Sequence, residues 1–188
     1  LTQKLVLLIA IAVSACRAES TTSGTTTDKA RTSKPPRASA VRYALRREFL
    51  LGFSGLPCTP PPWGTLQAID LVTGKVRWNV PLGTLRDVAA VLRVLGQSGS
   101  PNLGGPIATA SGLVFIAATM DNYIRAFDIE NGKELWQGRL PAGGQATPMT
   151  YRTASGRQLL VIAAGGHTRL GTKRGDSIVA FALPEAKR

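Results

Sequence analysis

The chain has 188 residues, 44% of them hydrophobic, with 20 glycines, 12 prolines and a formal net charge of +12. That is enough apolar material for one packed domain, and so much glycine and proline without long helical periods favours an all-β class. Two cysteines cannot make a disulfide framework or a four-ligand zinc site, and the lack of a basic stripe interleaved with aromatics excludes a nucleic-acid partner from the reading.

Residues 1–50 hold nine Lys/Arg and three Asp/Glu, and residues 51–188 hold fourteen and eight, so each part carries +6 and the shorter one is the more basic per residue. Lys4 precedes an apolar run over 5–13, followed by Ser14-Ala15-Cys16. A run this short does not span a bilayer as a helix, but it suits the hydrophobic region of a secretory signal. Val13-Ser14-Ala15-Cys16 is similar to the bacterial lipoprotein signal, in which the cysteine carries the lipid. Residues 1–16 are therefore read as a lipoprotein-like leader with Cys16 as its lipidation site; a buried apolar strand is the alternative. The Ser/Thr-rich and then Lys/Arg/Pro/Ser-rich stretch over 17–50 cannot bury enough apolar surface to order itself, so it reads as a flexible tether. Arg46-Arg47 resembles a twin-arginine export signal, but it lies far from the N-terminus with no long apolar run behind it, and is taken as coincidence.

The body, 51–188, is punctuated by turn signals. Prolines make 57–64 an extended entry. Strands are predicted over 65–71 and 75–80, joined across Val72-Thr73-Gly74. The stretch 82–101 is ambiguous, with a short helix over 88–95. The apolar run 112–119 reads as a strand buried on both faces. A hairpin over 123–129 and 134–140 turns at Glu130-Asn131-Gly132-Lys133, and further strands follow over 146–151, 158–164 and 177–183. The segment Ala68-Ile69-Asp70, Gly74-Lys75 and Trp78 returns as Ala126-Phe127-Asp128, Gly132-Lys133 and Trp136, and the tryptophans give the spacing, 136 − 78 = 58. Short strands repeating in this way fit the blades of a β-propeller, which needs roughly four to eight blades to close. The chain holds two to two and a half of them, a partial propeller, whose strand from Thr65 and final strand near Phe181 are expected to present unpaired edges.

The repeated Ala-x-Asp-x-x-x-Gly-Lys-x-x-Trp pattern resembles the tryptophan-docking motif of quinoprotein dehydrogenases, eight-bladed propellers that bind pyrroloquinoline quinone (PQQ). The runs Leu103-Gly-Gly-Pro106, Phe115–Tyr123, Leu135–Tyr151 and Ala163-Ala-Gly-Gly-His167, continued by Gly171-Thr172-Lys173, are similar to the C-terminal end of membrane-bound quinoprotein glucose dehydrogenase. The resemblance covers about residues 50–188. It implies oxidation of aldoses to lactones in the periplasm, with PQQ and a divalent cation, calcium or magnesium, as cofactors, and ubiquinone as electron acceptor.

Carried over residue by residue, the resemblance assigns Asp121, Gly166, His167 and Lys173 to the cofactor pocket and His167 also to the sugar. Trp78 and Trp136, being repeated, are read as structural docking residues. Asp121 also reads as part of an ordinary tight turn, and a lone histidine such as His167 also serves loop packing. The family's general-base aspartate and quinone-side lysine belong to earlier blades with no counterpart here, and the leader stands where the family has transmembrane helices. The expectation is a membrane-associated periplasmic chain, a truncated form lacking the base, inactive unless the missing blades come from another chain. The alternative is a lipid-anchored, non-catalytic propeller-like scaffold.

Overall fold

A computed structural model describes residues 6–12, 52, 57–87 and 98–183. Residues 1–13 and 60–188 make one compact unit and 14–59 another; all the strands lie in the first. Cys16, the tether over 17–50 and the expected helix over 88–95 lie outside the described residues.

Among the described residues, ten strands form three antiparallel sheets. The first holds β1 (Val6–Ala12), β2 (Gly64–Asp70) and β3 (Val76–Pro81), in that order. The second, β4 (Ile107–Ala108), β5 (Leu113–Ile116), β6 (Tyr123–Asp128) and β7 (Glu134–Arg139), also pairs in chain order. The third holds β8 (Met149–Arg152), β9 (Gln158–Ala164) and β10 (Ser177–Ala182). Each is a blade or part of one.

The 58-residue repeat is exact in the backbone. Thr65 pairs with Pro81 and Tyr123 with Arg139, and each ladder shifts register at the same place, after Ala68 and after Ala126. Both hairpins turn alike, with the Gly74 and Gly132 N–H groups donating to Asp70 and Asp128 carbonyls at 2.8 and 2.9 Å. Both glycines have φ near +70° (68° and 72°), a conformation other residues adopt at a cost. Asp70 Oδ1 accepts the N–H groups of Val72 and Thr73, and Asp128 Oδ1 that of Glu130, so both aspartates bond their own turns.

The N-terminal apolar run departs from the leader reading. Val6–Ala12 is a strand lying against β2, with Val6 opposite Asp70. Leu113 lies opposite Asp128, so β1 occupies beside β2 the place that β5 occupies beside β6. The expected unpaired edge at Thr65 is therefore corrected, because a run of β-branched and aliphatic residues satisfies that backbone ladder. At the other end of the unit, β10 does terminate its sheet.

A second repeat went unread in the sequence. Thr109-Ala110-Ser111-Gly112 recurs as Thr153-Ala154-Ser155-Gly156, a spacing of 153 − 109 = 44. In each, the threonine hydroxyl accepts the N–H four residues on, at 3.2 and 3.0 Å, which closes the β4–β5 and β8–β9 turns. The third sheet thus repeats the first three strands of the second.

Apolar packing joins the sheets face to face. Leu66, Ala68, Trp78 and Leu82 of the first meet Val114, Ile116, Ala118 and Phe127 of the second. Ala117, Ile124 and Leu140 of the second meet Leu160, Ile162 and Ala164 of the third. Alternate residues around β5 thus serve both interfaces, which is why that run is apolar throughout. Trp78 crosses the first interface: its Nε1–H donates to the Ile129 carbonyl at 2.9 Å, and its ring lies where a Gly132 Cβ would come within 2.6 Å. Trp136 meets Phe181 edge-on at 5.2 Å and stays 39% exposed, against 9% for Trp78.

Trp78→Ala is expected to cost about 3–5 kcal/mol, from lost burial plus the hydrogen bond to Ile129. Trp136→Ala should cost clearly less. Urea unfolding of the two variants checks this, and equal losses would contradict the ranking.

Candidate functional site

In an antiparallel sheet successive connections alternate between the two ends. The Asp/Gly hairpins and the two Thr-Ala-Ser-Gly turns share one end. The other end collects the segment after β3 (Leu82–Asp87), the β5–β6 turn (117–122), the start of the β7–β8 connection (140–145) and the β9–β10 loop (165–176). The β5–β6 connection is six residues long and the β9–β10 connection twelve. The longer one carries His167 and Lys173.

Asp121 sits in the β5–β6 turn with 1% of its surface exposed. Arg125 grips it in a bidentate pair, Nη1 donating to Oδ1 at 2.9 Å and Nη2 to Oδ2 at 2.6 Å. Thr119 Oγ1 donates to Oδ1 at 2.6 Å, and Thr84 donates both its N–H (2.9 Å) and its hydroxyl (2.7 Å) to Oδ2. Five donors exhaust the roughly four lone-pair directions of a carboxylate. Burial pushes the Asp121 carboxyl up, but the Arg125 guanidinium and the two threonines outweigh it and hold the group below its usual range. Glu134, 3.5 Å from Arg125 Nε, is instead pushed up by burial, against the pull of the same arginine. The turn itself is strained: Ala118 has φ +60°, with its N–H on the Gly144 carbonyl and its own carbonyl accepting Leu103 N–H.

From Asp121 a chain of hydrogen bonds leads to the long loop. Thr119, bonded to Asp121 through its hydroxyl, accepts Gln145 Nε2–H on its carbonyl at 2.9 Å. Gln145 Oε1 accepts the Thr172 hydroxyl at 3.1 Å, and Thr172 Oγ1 accepts the His167 N–H at 2.8 Å. The loop is also laced to Gly143, whose N–H donates to the Lys173 carbonyl and whose carbonyl accepts Gly166 N–H. Gly166 has φ +69°, and a Cβ there would run into the Lys173 carbonyl, so only glycine fits. His167 Nδ1 is buried without a partner. The Lys173 side chain is exposed, and the loop sets Arg169, Lys173 and Arg174 against the single acid Asp176.

The structure thus links Asp121 and His167 through intermediaries rather than by contact, and it leaves Trp78 and Trp136 in inter-sheet packing. Thr84, Thr119, Arg125, Gln145 and Thr172 were not singled out as site residues. Only Arg125 left a signal in the sequence, as a cation in an otherwise apolar strand with a carboxylate four residues before it.

Comparison with known proteins places this arrangement. A model described as the glucose/ethanol/alcohol dehydrogenase β-propeller domain, PQQ, matches residues 2–160. The chain belongs to this PQQ-dependent dehydrogenase propeller family. The match begins well before residue 50, where the motif resemblance stops, and takes in β1. Quinoprotein glucose dehydrogenase of Escherichia coli (strain K12) is 52% identical over 148 residues, covering 77% of this chain and 18% of that protein. Quinoprotein glucose dehydrogenase A of Acinetobacter calcoaceticus is 50% identical over 149 residues, 78% of this chain and 18% of that one. A probable quinate dehydrogenase (quinone) of Xanthomonas campestris pv. juglandis is 47% identical over 148 residues, 77% and 19%. The chain spans just under a fifth of the length of these relatives.

The residues fit PQQ, a quinone with three carboxylates. The long loop is basic on balance, Gly166 leaves its backbone bare of a side chain, and the orphaned His167 Nδ1 is a polar atom in want of a partner. They do not fit a divalent cation. Asp121 has its oxygens committed, and no group of three or more His, Cys, Asp or Glu among the described residues could hold a metal ion.

Asp121→Asn is expected to cost about 3–5 kcal/mol at pH 7, because Arg125 stays buried without its counter-charge. The folded pKa lies below the unfolded one, so the stabilisation is complete above about pH 4 and disappears as pH falls through the lower folded value. The gap between wild type and variant in urea unfolding should therefore narrow from pH 7 to pH 3. A gap independent of pH would contradict the ion pair.

Proposed function

We propose that this chain forms the His167-bearing section of a PQQ-dependent aldose dehydrogenase, a propeller enzyme that oxidises sugars such as glucose to lactones. Identity of 52% and 50% to two quinoprotein glucose dehydrogenases supports the sugar over other alcohols. When bound, PQQ supplies a two-electron acceptor. On this reading the basic face of the loop, with Lys173, holds the carboxylates of the cofactor, Gly166 lets backbone approach it, and His167 presents its imidazole to cofactor and sugar. Asp121 serves the site at one remove, through Thr119 and Gln145. An ionised carboxylate saturated by Arg125 and two threonines is a weak proton acceptor, so the base that removes the sugar hydroxyl proton is assigned to blades beyond these 188 residues.

The same reading puts the assembled enzyme at the periplasmic side of a membrane with ubiquinone as acceptor. Relatives whose names specify a quinone support the acceptor. Attachment through Cys16 is a separate proposal. It competes with the strand role of Val6–Ala12, since a cleaved leader would take β1 away.

The identity to the glucose enzymes carries the proposal, and a chimera tests it. Residues 101–183 would replace the matching section of the Escherichia coli relative, with PQQ, glucose and an artificial electron acceptor in the assay. Turnover within about tenfold of the parent is expected, and His167→Asn in the chimera should lower kcat/KM by about a hundredfold, as loss of a group contacting the reacting partners does. A chimera that folds and binds PQQ but leaves glucose unoxidised would sink the sugar assignment. Full activity with asparagine at 167 would remove His167 from the site.

A further inference from the structure

The polar chain between the β5–β6 turn and the long loop passes through a single side chain. Gln145 leaves the β7–β8 connection, donates through Nε2 to the Thr119 carbonyl at 2.9 Å, and accepts the Thr172 hydroxyl on Oε1 at 3.1 Å. Thr172 is 7% exposed, and its hydroxyl oxygen in turn takes the N–H of His167. The amide of Gln145 offers its two ends to two different elements, and the Thr172 hydroxyl faces Gln145 Oε1 at 3.1 Å, with the His167 carbonyl farther off at 3.5 Å, while its oxygen accepts the His167 N–H. Gly143 packs directly beneath them, where a Cβ would lie 2.5 Å from Gln145 Oε1 and 2.7 Å from Thr172 Oγ1 and would push the two side chains apart.

We propose that Gln145 and Thr172 are positioning residues: they tie the backbone of His167 to the rigid Asp121–Arg125 turn and so fix where its imidazole points. The proposal rests on the reading that His167 faces the cofactor and adds the groups that place it there. Backbone bonds to Gly143 hold Gly166 and Lys173 on either side, and the side-chain tie acts on His167 itself. The loop's 3₁₀ turn (Thr168–Leu170) is three residues long, His167 makes no side-chain cap to it, and only Leu170 of the turn is buried. A twelve-residue connection of this kind, exposed and basic, needs an internal tie to present one side chain reproducibly. Thr172 supplies the tie at the loop, and Gln145 carries it to the β5–β6 turn.

Hydrogen exchange on the full 188-residue chain tests the tie, comparing wild type with Gln145→Ala, Thr172→Val and Thr172→Ser. Peptides covering 165–176 should exchange about tenfold faster in Gln145→Ala and Thr172→Val, at wild-type rates in Thr172→Ser, and unchanged over 123–139 in all three. An unaltered loop, or acceleration spread evenly over the chain, would overturn the tie. Titration with PQQ, followed by quenching of tryptophan fluorescence, tests what the tie is for. If Thr172 acts through His167, Thr172→Val should weaken binding in the wild-type background and add nothing beside His167→Asn. Additive effects would overturn the positioning role. Failure of the wild-type chain to saturate with PQQ would count against the binding reading for the chain alone, and the exchange result then decides the tie by itself.

Discussion

One buried ion pair organises the end of the molecule that carries the candidate site. Asp121 and Arg125 are four residues apart across the β5–β6 turn and almost wholly out of solvent. Such a pair contributes little net stability once desolvation is counted, and its worth lies in what it fixes. The carboxylate also binds Thr84, which follows the first sheet, and Thr119, which lies with it in the β5–β6 turn. A single side chain therefore joins two sheets and holds the strained Ala118–Thr119 backbone. Gln145 reaches that backbone from the next connection, and the third sheet's loop follows through Thr172.

This separates the repeated hairpin turns from the candidate site, at opposite ends of the blades. The Asp/Gly hairpins repeat together with their tryptophans, but the contacts differ: the Trp78 indole lies against the Gly132 turn of the next sheet with its N–H on the Ile129 carbonyl, whereas Trp136 meets Phe181 edge-on. The opposite end does not repeat. Position 67, the counterpart of Arg125 at a distance of 58, is glutamine, and position 63, the counterpart of Asp121, is tryptophan. Departure from the repeat marks the residues with an individual task. The twelve-residue β9–β10 loop is one such departure, and it carries a buried polar atom left without a protein partner, His167 Nδ1.

The stretch Val6–Ala12 shows how one local composition suits two different readings. A short apolar run behind a lysine and before a small-residue cysteine motif has the local features of an export signal, and those are all that a leader requires. The same residues suit a central strand equally well. What separates the two is the presence, some sixty residues on, of a β2 edge with a matching register. The family match from residue 2 agrees with the strand.

The strands of the body, the 58-residue repeat, the docking tryptophans and the membership of a quinoprotein family were legible in the sequence, because period-2 patterns, Asn-Gly turns and repeated motifs are local signals. Asp121 and His167 were legible as candidates through the family motifs. Their relation was not. Thr84, Thr119, Gln145 and Thr172 are ordinary polar residues scattered over 89 positions (172 − 84 + 1 = 89) of chain, and none belongs to a motif that announces hydrogen bonding. Only packing three sheets face to face brings these connections to one end and excludes water from them. There a carboxylate must find every donor within reach, so tertiary structure turned Asp121 from a possible ligand into the anchor on which the His167 loop is hung.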